Sequence, residues 1–267
     1  MSNMRLKIDF GITLYPGETF VDAGPKEIVE NLNYIEYKVN SVEDAQQCRD
    51  HLDGRIIHGP DPQEDNWIDI ISEISQLKHV EYGNVHARPT DEYALCNNCF
   101  RRIMIMENKE NKCSYCETEP WIGNNNDFNS LIEKLNDASE ILTKKNKKLL
   151  IENTYETPEL MHRIMNKLPN CGFTFDIGHS LIFSSSPLDY IYILKNQIRH
   201  LHLHDNMGGC SERFHDRHDP CGMGIAPWNE FIFTLRNIGF NGTATFECDI
   251  ASAPKWFDNF RNTLGFS

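Results

Sequence analysis

Histidines and carboxylates stand at the ends of several short apolar segments of this 267-residue chain. They are His58, His86, Glu152, Asp176 and Glu247. Imidazole nitrogens and carboxylate oxygens are ligands that proteins offer to zinc and similar divalent ions. Such groups lose hydration and repel one another when they converge in an interior, unless a cation binds between them. Their recurrence at segment ends therefore predicts a divalent metal site.

A further set of candidate ligands lies in the segment 198–205, where histidine and leucine alternate. The period of two predicts a β-strand with His200, His202 and His204 on one face and the leucines on the other. Three histidines at three depths of one strand cannot all reach the same ion. We therefore expect one of them to be a ligand and the others to be orienting groups or ordinary hydrogen-bonded imidazoles.

Three more candidates follow the segment ends. His179 stands three residues after Asp176, and Asp216 and His218 are two residues apart in a glycine-containing segment. Residues two apart in extended backbone point the same way, and glycines let the backbone pass close to a ligand. The alternative for Asp216 and His218 is a turn whose charges are solvated.

Short strand-like segments alternate with longer amphipathic ones along most of the chain, which predicts an α/β fold. The predicted strands are 6–14, 34–39, 55–58, 80–86, 148–152, 172–176, 198–204 and 242–247, and the predicted helices are 25–32, 43–51, 66–78, 128–146, 158–168, 187–197, 228–238 and 255–263. Such strand-then-helix units favour a closed parallel (β/α)8 barrel, a TIM barrel, over an open sheet. A parallel barrel brings its strand ends to one face, where the candidate ligands would meet.

One segment, 90–127, contains no strand-then-helix unit. It contains the pairs Cys96-x2-Cys99 and Cys113-x2-Cys116. Two such pairs supply four thiolates for one tetrahedral zinc ion, whereas a redox role would need only one pair. In so short a segment the metal would supply most of the folding free energy. We therefore predict a zinc-ribbon-like subdomain at 90–127, inserted into a barrel formed by 1–89 and 128–267.

Four basic residues are matched by four acidic ones across 93–120, so the insertion has no basic patch. We expect it to act as a lid or as a dimer contact. The alternative is contact with nucleic acid through Phe100, Tyr115 or Trp121, whose rings could stack on a base or a sugar.

The composition excludes several classes of protein. The chain has 26 Lys and Arg against 39 Asp and Glu, so its formal net charge is −13. This balance argues against a protein that coats nucleic acid or an anionic membrane. No apolar stretch approaches the ~20 residues of a membrane-spanning helix, and the first residues lack the apolar core of a signal peptide. With an odd number of cysteines, nine, these features predict a protein of the reducing cytoplasm.

The order of the candidate ligands resembles the xylose isomerase-like barrel superfamily, and in particular its AP endonuclease family 2 branch, endonuclease IV and its relatives. The matching motifs are His58, His86, Glu152-Asn153, Asp176-x-x-His179, His202-Leu203-His204-Asp205, Asp216-Arg217-His218 followed by Gly222-x-Gly224, and Glu247. The resemblance covers most of the chain outside 90–127. It implies a TIM barrel with three zinc ions, for which Mn²⁺ or another divalent ion is the alternative.

The resemblance also implies how the ligands divide among three ions. The first ion would be held by His58, His86 and Glu152. The second would be held by Glu152, Asp176, His202 and Glu247, so that Glu152 bridges, and the third by His179, Asp216 and His218. With one more ion in the cysteine-rich insertion, about four zinc ions per chain are expected.

Two activities fit this ligand set. The first is hydrolysis of a phosphoester of the endonuclease IV type, such as an AP site, in which a multinuclear zinc site activates water and Glu247 positions or deprotonates it. The second is isomerisation or epimerisation of a sugar or sugar phosphate with one metal, where Glu152 and Glu247 exchange protons. A zinc-binding scaffold without catalysis would not need ligands at so many strand ends. The surplus of ligands favours the hydrolase.

The motifs differ from those of the endonuclease. Asp176-Ile177-Gly178-His179 stands where it has Asp-Thr-Cys-His, and His202-Leu203-His204-Asp205 stands where it has His-Leu-Asn-Asp. The loop 59–66 is acidic and lacks the Tyr-Leu pair that enters the DNA stack. We therefore expect the substrate to be a small or single-stranded phosphoester, damaged DNA or a phosphorylated sugar.

Overall fold

Eight parallel strands close into a barrel, in a computed structural model that describes residues 7–24, 26–87, 93–96, 102–104, 117, 120–121, 128–154, 156–182, 186–208 and 216–249. The barrel strands are β1 (Lys7–Leu14), β2 (Tyr34–Lys38), β3 (Gly54–His58), β4 (Tyr82–His86), β8 (Lys148–Glu152), β9 (Gly172–Asp176), β10 (Ile198–Leu203) and β11 (Asn241–Phe246). Three further strands lie outside the barrel: β5 (Tyr93–Cys96), β6 (Arg102–Met104) and β7 (Pro120–Trp121). Around the barrel the order is β1-β11-β10-β9-β8-β4-β3-β2, and β2 closes the ring against β1.

Helices follow the barrel strands along the chain. They are α1 (Lys26–Val29), α2 (Val42–Gln47), α3 (Trp67–Gln76), α4 (Phe128–Thr143), α5 (Pro158–Lys167), α6 (Ile177–Ile182), α7 (Pro187–Leu194) and α8 (Trp228–Ile238). Among the described residues, no helix has both the length and the apolar character needed to cross a membrane.

The TIM-barrel prediction is confirmed, and the predicted strand ends differ from the observed ones by no more than two residues. α6 was not predicted, because its six residues follow β9 directly and are too few for a helical pattern to show. The predicted helix 255–263 lies outside the described residues.

The two faces of the barrel strands carry different residues. In β10, Leu201 and Leu203 lie in the apolar layer that the helices cover. His200, which alternates with them, reaches Glu36 of β2 over 3.0 Å. Since β2 and β10 are not neighbours in the ring, this contact crosses the barrel interior. The predicted alternation in β10 is therefore confirmed, and it separates an apolar outer layer from a polar inner one.

α4 shows why the helices lie on this outer layer. Its buried residues Leu131, Leu135, Ala138 and Leu142 are three or four positions apart, so they form one apolar stripe. This stripe packs into the apolar layer formed with the strands.

β5, β6 and β7 form a separate antiparallel sheet with β5 in the middle. Of the four cysteines predicted to bind zinc, Cys96 ends β5. Cys99, Cys113 and Cys116 lie outside the described residues. The zinc ribbon and the domain bounds 1–89, 90–127 and 128–267 therefore stay predictions.

Two helix starts offer a matched pair of substitutions. Thr157 and Ser186 precede a proline in the first turn of α5 and α7, but only the Thr157 hydroxyl accepts a capping hydrogen bond, from the Leu160 N–H at 3.2 Å. We expect Thr157→Ala to lower the free energy of unfolding by about 1 kcal/mol, and Ser186→Ala to change it by less than about 0.5 kcal/mol. Urea unfolding followed by circular dichroism measures both, and equal losses would contradict this account of the cap.

Candidate metal centre

The nine predicted barrel ligands lie in three adjoining groups at the carboxyl ends of the strands, and in each group the ligand atoms lie within 4.8 Å of one another. His58, His86, Glu152 and Asp176 are the last residues of their strands, and Glu247 follows β11 directly. We name the groups the central group (Glu152, Asp176, His202 and Glu247), the paired-histidine group (His58, His86 and Glu152) and the loop group (His179, His204, Asp216 and His218).

The central group places one imidazole against three carboxylates. His202 Nδ1 lies 3.2 Å from a Glu152 oxygen, 3.4 Å from a Glu247 oxygen and 3.7 Å from an Asp176 oxygen. Glu152, Asp176 and His202 are fully buried, and Glu247 is 7% exposed. Three oxygens and one nitrogen around a common point can hold a divalent ion.

Glu152 also belongs to the paired-histidine group. His58 Nε2 lies 3.0 Å from one of its oxygens, and His86 Nε2 lies 3.4 Å from the other. The Asn84 amide donates a hydrogen bond to Glu152 Oε2 over 2.7 Å and accepts one from the Thr174 hydroxyl, which orients the carboxylate. Glu152 thus lies where a ligand shared by two ions would have to lie.

The loop group surrounds Asp216. Its Oδ2 lies 3.3 Å from His179 Nε2 and 3.1 Å from His218 Nε2. His204, one of the three alternating histidines of which only one was expected to be a ligand, lies in this group as well. Its ring stacks on that of His218 with centroids 4.0 Å apart.

Each of the five predicted histidine ligands has one ring nitrogen bound to an oxygen that can only accept a hydrogen bond. The partners are the carbonyls of Gly59, Asn153 and Glu247 for His58, His179 and His218, and the carboxylates of Asp61 and Glu36 for His86 and His202. On a neutral ring the proton therefore lies on that nitrogen, which leaves the lone pair on the nitrogen that faces the other candidate ligands. Metal-binding histidines are oriented in this way.

Two buried atoms of the central group have no hydrogen-bond partner among the described residues. They are Glu152 Oε1 and His202 Nδ1. A buried polar atom without a partner costs free energy unless something binds it. Since both atoms belong to one group of potential ligands, the donor set fits a divalent ion.

Histidines and carboxylates of the centre shift one another's pKa values in opposite directions. Burial favours the neutral acids, but His202 and its neighbours hold the pKa of Glu152 and of Glu247 well below the usual range. Burial also disfavours charged histidines, but the carboxylates raise the pKa of His202 well above its usual value, and that of His218 to about 9. Binding of a divalent ion would displace protons from these histidines.

Lys38, the last residue of β2, is a cation at the rim of the centre. Its Nζ lies 3.0 Å from Glu247 Oε1, and its side chain is 30% exposed. Lys38 lines two cavities, one of about 440 Å³ beside His58 and His86 and one of about 480 Å³ beside His218 and Glu247. Each is large enough for a small-molecule substrate.

The loop that follows β10 is held by Asp205. The Asp205 carboxylate accepts hydrogen bonds from the N–H groups of Gly222 and Ala226 at 2.9 and 3.0 Å. A Cβ on Gly224 would lie 2.2 Å from Asp205 Oδ1, so this position requires glycine. We expected the glycines to let the backbone pass close to a ligand. At Gly224 the backbone instead passes close to the Asp205 carboxylate.

Three further residues of the centre were not predicted: Glu36, Lys38 and Asp61. The sequence could have indicated the first two, because Glu36 and Lys38 occupy alternate positions of β2, whose other residues are tyrosine and isoleucine. A period of two places them on the inner face. Asp61 lies in a loop that the sequence marks only as acidic, so nothing distinguishes it from its neighbours.

The fold and these groups define a TIM barrel with candidate metal ligands at the carboxyl ends of its strands. A family model described as the xylose isomerase-like TIM barrel matches residues 101–264. This chain therefore belongs to the xylose isomerase-like TIM barrel family, a superfamily of enzymes, as predicted. An uncharacterized protein of Methanocaldococcus jannaschii is 32% identical over 116 residues, which are 42% of this chain and 43% of that relative, so the match spans less than half of the relative's length.

Solved structures match nearly the whole chain at low identity. A D-tagatose 3-epimerase-like protein has a TM-score of 0.61 at 20% identity, over 96% of this chain and 97% of its own. A protein from Thermus thermophilus, described as soaked with ZnCl2, has a TM-score of 0.65 at 16% identity, over 96% and 98%. A D-psicose 3-epimerase in the presence of D-fructose has a TM-score of 0.57 at 15% identity, over 97% and 98%. At these identities the likeness shows the fold.

The charge compensation predicts how the stability of EDTA-treated protein depends on pH. Folding raises the pKa of His218 to about 9 and also raises that of His202. Such groups stabilise the fold fully below their unfolded pKa, near 6.5, and that stability is lost as the pH rises through the folded pKa. We expect the Tm to fall between about pH 6.5 and pH 9.5, by about 2–4 °C for each kcal/mol lost.

Differential scanning fluorimetry measures this dependence. His218→Gln is the matched control, and it should show a shallower decline because one titrating group is gone. An excess of divalent ion should raise the Tm across the whole range. A Tm that stays constant over this range in the EDTA-treated wild type would show that the histidines do not compensate the carboxylates.

Proposed function

We propose that this chain is a divalent-metal-dependent isomerase or epimerase of a sugar or sugar phosphate. The observation that carries the proposal is the central group, in which Glu152 and Glu247 both approach His202 around one candidate metal position. The reaction needs one metal site and two carboxylates that transfer protons, and this group offers candidates for both. The names of two structures that share the fold, a D-tagatose 3-epimerase-like protein and a D-psicose 3-epimerase, support the same chemistry.

The two glutamates divide the proton transfers between them. When bound, a divalent ion supplies Lewis acidity to the carbonyl of the sugar. One glutamate removes a proton from the carbon next to that carbonyl, and the other returns a proton to the opposite face or to the neighbouring carbon. No atom is gained or lost, so the product is an epimer or an isomer.

Lys38 extends the proposed site beyond the metal ligands. Its ammonium group helps to hold Glu247 ionised, because a positive charge 3.0 Å away favours the carboxylate. An ammonium group has three donors, so those not directed at Glu247 are available to a substrate oxygen. The position of Lys38 between the two cavities lets it orient a substrate that occupies either one.

Phosphoester hydrolysis, which the surplus of ligands in the sequence favoured, is the second candidate. It is favoured by the position of the paired-histidine and loop groups, which adjoin the central group. Proton exchange on a sugar needs one ion, whereas displacement at phosphorus benefits from several. None of the structures named above is described as a phosphoester hydrolase, and two are described as epimerases or epimerase-like, so the isomerase ranks first.

Deuterium exchange tests the first proposal. The protein is loaded with Zn²⁺ or Mn²⁺ and incubated in D2O with a panel of ketohexoses, ketopentoses and their phosphates. NMR should show deuterium on the carbon next to the carbonyl, together with an epimer or isomer. Glu152→Gln and Glu247→Gln should each lower the exchange rate by about 10²–10⁴-fold, because each removes one acid-base group.

Glu156→Gln is the matched control for these variants. Glu156 is a fully buried carboxylate that accepts a hydrogen bond from the Thr154 N–H and belongs to none of the three groups. Its substitution should leave the exchange rate unchanged. Absence of exchange on the whole panel, together with chelator-sensitive cleavage of an abasic-site oligonucleotide, would reverse the order of the two candidates.

The loop group provides an independent test. If the protein is an isomerase, Asp216→Asn should leave the exchange rate within about tenfold of wild type, because the central group supplies the acid and base. Elemental analysis should then find about two zinc-like ions per chain, one in the barrel and one in the predicted ribbon. About four ions, with activity on a phosphoester abolished by Asp216→Asn, would favour the hydrolase.

A further inference from the structure

A buried carboxylate lies directly behind the imidazole of the central group. Glu36 is fully buried in β2. Its Oε1 and Oε2 lie 3.1 and 3.2 Å from His202 Nε2. The other nitrogen of that ring, Nδ1, faces the carboxylates of the central group. One imidazole thus connects the candidate metal position with a negative charge on its far side.

Glu36 is itself oriented by side chains of the barrel interior. His200 Nε2 lies 3.0 Å from Glu36 Oε2 and, because a carboxylate only accepts, His200 donates this hydrogen bond. The other nitrogen of His200 lies 2.8 Å from the Thr243 hydroxyl. The carboxylate of Glu36 therefore has donors from two histidines of β10, and its orientation is fixed from both.

Packing alone does not explain a charged residue in this position. An ionised carboxylate in a protein interior carries a desolvation penalty, and apolar side chains of similar volume often stabilise the fold as well or better. The contact with His202 indicates a role for this negative charge. A carboxylate that accepts the Nε2 proton fixes the tautomer of the ring and makes Nδ1 more basic.

We propose that Glu36, oriented by His200, is a positioning residue of the metal centre, which presents His202 Nδ1 to the central group and strengthens it as a ligand. The inference rests on the metal binding that the proposed function requires, and it applies to either activity. It extends the metal centre of this chain from the strand ends to the polar interior of the barrel.

Metal affinity tests the role of Glu36. Glu36→Gln keeps the length of the side chain and one accepting oxygen but removes the charge. In competition with a chromophoric chelator, we expect Zn²⁺ in the central group to bind about 10–100-fold more weakly than in wild type. Glu36→Asp, which keeps the charge on a shorter side chain, should recover part of the affinity. Glu156→Gln, the same substitution at another fully buried carboxylate, should bind Zn²⁺ as wild type does.

A spectroscopic measurement on the wild type keeps the test independent of how the variants fold. In ¹⁵N NMR of Zn²⁺-loaded protein, His202 should carry its proton on Nε2 and bind the ion through Nδ1. A proton on Nδ1 would overturn the proposal, as would equal Zn²⁺ affinities of wild type and Glu36→Gln.

Asp176→Asn removes a carboxylate of the central group, so it tests whether the Zn²⁺ bound in the titration occupies that group. If this substitution leaves Zn²⁺ binding unchanged, the proposed function and the role of Glu36 both fail, whereas loss with Asp176→Asn but not with Glu36→Gln overturns only the latter.

Discussion

Four carboxylates converge at one end of the barrel, and the compensation of their charge is the constraint on which the rest of the centre depends. They belong to Glu152, Asp176, Asp216 and Glu247. Removing such groups from water is costly unless opposite charge or a metal ion is close. The histidines of the three groups provide that charge when protonated and provide ligands when not. The same side chains can therefore serve two states, and a divalent ion that binds there would compete with protons for them.

This competition changes how the number of ligands is interpreted. In sequence, a surplus of histidines and carboxylates indicates several ions, because each residue is counted as a ligand. In the structure, Asp216 lies between His179 and His218 at ion-pair distance, and the two histidines hold the pKa of its carboxyl well below the usual range. The loop group can therefore be balanced by protons alone. In the central group, two buried atoms also lack a hydrogen bond within the part of the chain that the structure describes, which supports placing the proposed function there.

The barrel positions these groups with short connections. Because α6 begins immediately after β9, the backbone N–H of His179 donates to Asp176 Oδ1 at 2.7 Å, and a candidate ligand of one group orients a candidate ligand of the next. Asn153, next to Glu152, donates to the carbonyl of Asp176 and accepts from its N–H, which ties the ends of β8 and β9 together. The strand ends are thus held in register by side chains that are themselves next to the ligands.

The sequence by itself determined the barrel and its candidate ligands. The alternation of short apolar and longer amphipathic segments identifies all eight barrel strands, since strand and helix periods differ locally. Ligand types at strand ends can be read from position alone, because a parallel barrel brings those ends to one face. Only the tertiary structure decided which candidate ligands share a group, that His204 joins Asp216, and that Glu36 lies behind His202. Glu36 and His202 are 166 residues apart on strands that are not neighbours, so their contact exists only because the ring closes and brings inward-facing side chains of both strands together.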